Sequence, residues 1–235
     1  MNERAIAECF DHEVGCCTPK VLRRRRTRSR ALADAVEATG IDGMGVLEIG
    51  SGVGELTREL VRRGAMAATG IDLSPQSVAA ARGAARDEGL AGSVTFEVGN
   101  GATDRLEPHD VVVLDRVLCC YPAARELVSH TSSAARRVYA FTVPRHEGAL
   151  RLFWTVAFWI ENTYHALRGR EFRAYLHDID RIDEWLRAYG FSSSLRFSRK
   201  GWLHAVYVRS TGGSQVTLRG EDQPPASRAS PPREP

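Results

Sequence analysis

The sequence of 235 residues lacks any apolar run of the roughly 18 residues that a membrane-spanning helix needs. Its longest candidate, Leu152 to Ile160, is broken by Thr155 and followed by Glu161. Early charges in Met1 to Cys9 leave no apolar core for a signal peptide. Cysteine is scarce. There are five, as two adjacent pairs and one single residue, which is not the spacing of a secreted disulfide framework. Internal repeats are absent. The expected compartment is therefore the cytoplasm. What is present fits a globular chain: 43% hydrophobic and 26% charged residues suffice for one α/β domain with tails.

The chain divides into parts. Residues 1–43 read as an N-terminal helical extension or cap, helical from about Thr18 to Glu37. Residues 44–210 read as the main domain. Its strands are predicted at 44–50, 67–73, 93–99, 110–117 and 136–143, with helices at 54–63, 75–88 and 123–134. That alternation predicts an α/β fold: a Rossmann-like, seven-stranded, mostly parallel sheet with helices on both faces. Residues 145–190 read as a helical insertion after the fifth strand, and 193–199 and 202–210 as two closing strands. Residues 211–235, rich in Gly, Ser, Pro and Arg without apolar periodicity, read as a disordered tail.

One segment concentrates the chemistry. Val46-Leu-Glu48-Ile-Gly50-Ser51-Gly52-Val-Gly54 is a buried strand ending in an acid, then a glycine-rich turn, then a helix start. Glycines there let a ligand approach the backbone. The dinucleotide fingerprint G-x-G-x-x-G is missing: its third glycine would fall at Glu55, and the spacing here is G-x-G-x-G. A pyrophosphate at that helix start would also meet the Glu55 carboxylate. A ligand with a cationic centre and no phosphate suits the turn better. The second strand ends in Asp72 and Leu73, about 20 residues on, where an acid grips a ribose diol. Ser74 and Pro75 read as N-cap and first helical residue of the next helix. The third strand runs into Gly99-Asn100-Gly101. The Asn100 amide oxygen can accept from an exocyclic amine, or the tripeptide is a plain turn. The fourth strand ends at Asp115, at the carboxyl edge where doubly wound sheets bind ligands.

Together, Glu48, the loop Gly50, Ser51, Gly52, Gly54 and the acid Asp72 resemble motif I and its partner acid in the class I S-adenosylmethionine (SAM) methyltransferases. The resemblance implies SAM as methyl donor, an acid near its amino group and glycines beneath its methionine and ribose. Val117-Leu-Cys-Cys-Tyr-Pro122, Ala140-Phe-Thr-Val-Pro144 and Tyr175-Leu-His177 are similar, in order, to segments of the magnesium-protoporphyrin O-methyltransferases. That family has His immediately before Tyr-Pro, where this chain has Cys120. The tetrapeptide Asn/Asp-Pro-Pro-Tyr/Phe of base-amine methyltransferases is absent, as is a Pro-Cys nucleophile. The expected activity is methyl transfer to a small-molecule acceptor, with Tyr121 and His177 as candidate catalytic groups. The alternative is an RNA methyltransferase.

Three constellations stay open. Lys20 to Arg30 holds seven cations in eleven residues. They suit a solvated cap helix, an anionic small substrate or RNA, but the run has no aromatics to stack bases. Cys9, His12, Cys16 and Cys17 are zinc-type or iron–sulfur-type ligands at a spacing that matches no common zinc pattern, so no metal is expected. Leu152 to Ile160, with Trp154 and Trp159, either packs into its own core or lines an apolar, flat acceptor site.

Overall fold

The computed structural model describes residues 3–16, 29–145 and 147–210. Most of the arginine run, Cys17 and the tail from 211 lie outside the described residues. Seven strands form one sheet: β1 (Gly45–Ile49), β2 (Ala67–Asp72), β3 (Val94–Val98), β4 (His109–Asp115), β5 (Ala135–Pro144), β6 (Phe191–Arg199) and β7 (Trp202–Arg209). Their order is β3-β2-β1-β4-β5-β7-β6. The first five are mutually parallel, and β7 runs antiparallel to both β5 and β6. The seven predicted strands are all present, within two residues at each end.

The strands exist because both faces of the sheet are covered. Along β4, Val112 and Leu114 join one core, while Val111 and Val113 join the other. This is the two-residue alternation of a strand buried on both sides. The first core is closed by α5 (Ala124–Ser133) and α7 (Ile179–Ala188) through Leu127, Val128, Ile182 and Leu186. The second is closed by α2 (described over 29–37), α3 (Glu55–Arg62) and α4 (Pro75–Asp87) through Leu32, Val36, Leu56, Leu60, Val78 and Ala81. Ser74 caps α4, its hydroxyl accepting from Ser77 N at 2.9 Å with Pro75 in the first turn, as the sequence indicated.

Two readings need correction. The extension carries a helix that sequence reasoning did not find, α1 (Glu3–Cys16). Only the C-terminal part of the predicted 18–37 helix, residues 29–37, lies within the described residues. The 145–190 region is one 19-residue helix, α6 (Ala149–Leu167), then a helix-free segment, then α7. Because α7 packs on the sheet beside α5, it belongs to the main layer and not to an insertion.

The order of β1 between β2 and β4 makes their carboxyl ends a topological switch point. Loops leaving two neighbouring strands there diverge to opposite faces and open a crevice.

Candidate active site

A cavity of about 540 Å³ opens at that crevice. Its floor is the β1–α3 turn. Gly50 N and Ser51 N both donate to Ile71 O, at 2.7 and 3.0 Å, which hangs the turn from the end of β2. Gly52 has φ +52°, and a Cβ there would stand in open cavity space. Gly54 serves differently. It precedes α3 at φ +72°, and a Cβ would come within 2.4 Å of the Phe96 ring. It does not line the cavity, so its part is to let the turn enter the helix. Arg58, buried on α3, donates to Val53 O at 2.7 Å and to Glu88 at 2.8 Å, bracing the turn from behind.

Five acidic side chains line the cavity, and three of them, Glu48, Asp72 and Asp115, come from the ends of β1, β2 and β4. Asp72 accepts from Gly52 N at 2.7 Å and from Ser74 N at 2.8 Å. Burial pushes its pKa up, and the two backbone donors oppose that shift. Glu48 accepts a hydrogen bond from the Thr57 hydroxyl. Burial pushes its pKa up to about 8, against the Thr57 bond, with Asp115 and Asp72 adding repulsion. Burial would also raise Asp115. The Arg116 guanidinium, at 2.9 Å, and the Ser29 hydroxyl, at 2.8 Å, overcome it and hold the carboxyl below its ordinary value. Arg116 sits at φ +63°, outside the conformation most side chains adopt.

The cavity thus brings together Glu48, Gly50, Ser51, Gly52, Asp72, Leu73, Asn100, Gly101, Asp115 and Tyr121 of the predicted set. The Asn100 amide oxygen accepts from Ala102 N at 2.9 Å. His177 does not reach the cavity lining. Its Nε2 lies 2.8 Å from the Tyr121 carbonyl oxygen, and Asp178 next to it caps α7.

The opposite wall is aromatic. Trp154 and Phe158 from α6, Phe10 from α1, Phe172 and Trp202 all line it. Trp154 stands edge-on to Trp202 and Phe158, with centroids 5.2 and 5.6 Å apart, and its Nε1 donates to Gly201 O at 3.1 Å. Phe10 meets Phe172 edge-on at 5.9 Å. Asn162 exchanges two hydrogen bonds with Ala174, and Tyr175 N donates to Cys119 O at 2.7 Å, which stitches the returning segment over the site. Trp159, grouped with Trp154 in the sequence, points outward and is 67% exposed.

Sequence reasoning missed Ser29, Ile6, Phe10, Phe172 and Trp202. The pairs Ala5-Ile6 and Cys9-Phe10, four residues apart, carried a helical period that could have found α1. Phe172 and Trp202 carried no local signal.

The residues fit a cationic nucleoside. The buried Ser51 hydroxyl lacks a hydrogen-bond partner among the described residues and lines the cavity. Five acidic side chains, Glu48, Glu55, Asp72, Asp115 and Glu161, line it, and its one guanidinium, Arg116, is already paired. Phosphates would find little here to hold them.

Residues 46–141 match the family model described as a methyltransferase domain, and the fold is that of solved methyltransferases. The chain is similar to magnesium-protoporphyrin O-methyltransferases. It is 31% identical to that enzyme of Rhodobacter capsulatus over 137 residues, which is 57% of this chain and 60% of that protein. The magnesium protoporphyrin IX methyltransferase of Synechocystis PCC 6803, solved with bound SAH, superposes with a TM-score of 0.65 at 24% identity, over 81% of this chain and 85% of that one. The ribosomal protein L11 methyltransferase of Deinococcus radiodurans is 38% identical over 87 residues, 34% of this chain and 32% of that protein. The chain therefore matches about a third and three-fifths of the lengths of these two curated relatives. Among the described residues no helix is long and apolar enough to cross a membrane.

Proposed function

We propose that the protein transfers a methyl group from SAM to a small, apolar, flat acceptor. The observation that carries this reading is the single cavity that joins the acidic, glycine-floored pocket to the aromatic wall. Asp72 would take the ribose hydroxyls, Glu48 and Asp115 would face the cationic end, and Asn100 would accept from the adenine amine. SAM, when bound, supplies an activated methyl on a sulfonium. The chain's own residues orient and enclose. Trp154, Phe158 and Trp202 offer flat faces to an acceptor, and α1 with Phe10 closes the mouth against water. Holding donor and acceptor in line lowers the entropy cost of the reaction. His177, through the Tyr121 carbonyl, is a positioning residue. No described residue favours the RNA alternative.

Isothermal titration with SAM and NAD tests the cofactor, with tight SAM and weak NAD binding expected. Incubation with tritium-labelled SAM and host fractions tests the acceptor. Label should enter apolar small molecules. Tight NAD binding without SAM binding would overturn the cofactor assignment, and label entering RNA or protein alone would overturn the acceptor class.

A further inference from the structure

Cys119 and Cys120 sit side by side in a 3-10 turn (Leu118–Cys120) just past β4, and both line the cavity. Their Sγ atoms are 3.9 Å apart, and both thiols point to the Arg116 carbonyl oxygen, at 3.3 and 3.6 Å. Adjacent cysteines on an extended strand would point to opposite faces. The turn instead puts both sulfurs on one side. The pair packs with Phe158, Trp154 and Trp202. The methyl-transfer reading uses neither thiol.

The spacing matters chemically. Two sulfurs each about 2.3 Å from one pyramidal atom, with a bond angle of about 100°, lie about 3.5 Å apart, a few tenths of an ångström closer than this pair. One soft atom can therefore bridge this pair with little movement. A structural zinc site needs four ligands, and no cluster of three or more His, Cys, Asp or Glu suited to a metal occurs among the described residues. The fitting ligand is a trivalent thiophilic centre that needs only two protein sulfurs and brings its own third substituent. The aromatic wall beside the thiols has the character to hold an apolar substituent.

We infer that Cys119 and Cys120 form a dithiol site for trivalent organoarsenicals and their congeners. For R–As(OH)2 the step is a condensation. Two S–H and two As–O bonds break, two S–As bonds form, and two waters leave with the thiol protons. No atom changes oxidation state. Occupation places the R group against Trp154 and Trp202 and blocks the acceptor half of the cavity. The inference does not rest on the identity of the acceptor or on turnover.

The test uses the full chain carrying C9S, C16S and C17S, so that only the two cavity thiols remain. The probe is phenylarsine oxide, read by intact mass and by tryptophan fluorescence. One adduct per chain is expected, with both thiols consumed and fluorescence altered. A dithiol such as 2,3-dimercaptopropanol should reverse it where a monothiol at equal thiol concentration does not. Adding C119S or C120S should weaken binding by roughly 100-fold or more, the scale of losing an intramolecular second attachment. Circular dichroism checks that these variants fold. The site is refuted by no adduct on the folded protein with both thiols titratable, by two independent adducts, or by an adduct that survives either folded variant.

Discussion

The two halves of the cavity are built in opposite ways. The acidic half comes largely from Glu48–Gly54 and Asp72–Leu73, two short segments on adjacent parallel strands, locked by backbone hydrogen bonds from the turn to Ile71 and Asp72. The aromatic half comes from α1, the turn at 118–121, α6, Phe172 and Trp202, which are distant in sequence and meet only through tertiary packing. A site written in contiguous strand ends recurs wherever the fold recurs. A wall assembled from termini and insertions can change without disturbing the sheet. Under the proposed function, that difference would put donor binding in the first half and acceptor choice in the second.

The sharpest break in this comparison is Asp72→Ala. It removes the acceptor for Gly52 N and Ser74 N as well as the proposed ribose partner. SAM binding should weaken by about 1.5–3 kcal/mol, the scale for hydrogen bonds to a charged group. Titration calorimetry measures it, and thermal melting checks that the fold persists. Unchanged affinity would reduce Asp72 to a brace for the turn.

The complementary change is Trp154→Ala. Turnover should fall about tenfold while SAM affinity stays within about threefold, because the ring is on the aromatic side and touches Trp202 and Phe158. Trp159→Ala is the control. Although both tryptophans lie in one apolar run, Trp159 faces outward, and its loss should leave turnover and SAM affinity unchanged. Equal damage from both would mean that the inner face of α6 has no special part.

The same contrast marks what could be read from the sequence. Strand alternation, the glycine turn, Asp72 and the Ser74 cap are local patterns, and each has a physical reason within a few residues of itself. Ser29 on Asp115, Phe10 on Phe172 and Trp202 on Trp154 depend on which segments the fold brings together. No periodicity encodes that. His177 is a candidate base through Tyr175-Leu-His177, the segment similar to the magnesium-protoporphyrin O-methyltransferases, but the fold turns its ring to a backbone carbonyl.

Glu48 offers a pH test of the acidic half. Its carboxyl lies at about 8 in the folded protein, against 4.5 ordinarily. A raised carboxyl contributes stability that is full below pH about 4.5 and is lost as pH rises through about 8. The ligand-free protein should therefore melt lower at pH 9 than at pH 6 by several degrees, a scale of about 1–2 kcal/mol or more in a chain of this size. Glu48→Gln should flatten this change. A cationic ligand favours the carboxylate, so wild-type SAM affinity should rise across the same window while that of Glu48→Gln does not. Differential scanning calorimetry and titration at several pH values read both effects. A wild-type profile matching that of the variant would place Glu48 out of reach of the ligand's charge.

The smallest expected effect belongs to His177→Ala. Its Nε2 contacts the Tyr121 carbonyl oxygen from outside the cavity lining, so the ring would act on the reaction by holding the 118–121 turn in place. Loss of one such hydrogen bond is worth about 1 kcal/mol, or roughly fivefold in turnover at most. The turn would stay anchored by Tyr175 N on Cys119 O. The shape of the pH–rate profile should not change, and His177→Gln, which can still donate to the carbonyl, should recover most of the loss. A general base would behave otherwise. Its removal would cost about 100- to 10,000-fold and delete one limb of the profile. Steady-state kinetics of the two variants across pH therefore separates a positioning histidine from a catalytic one. A large loss that Gln fails to rescue would move chemistry to the aromatic side of the cavity and redraw the boundary between its two halves.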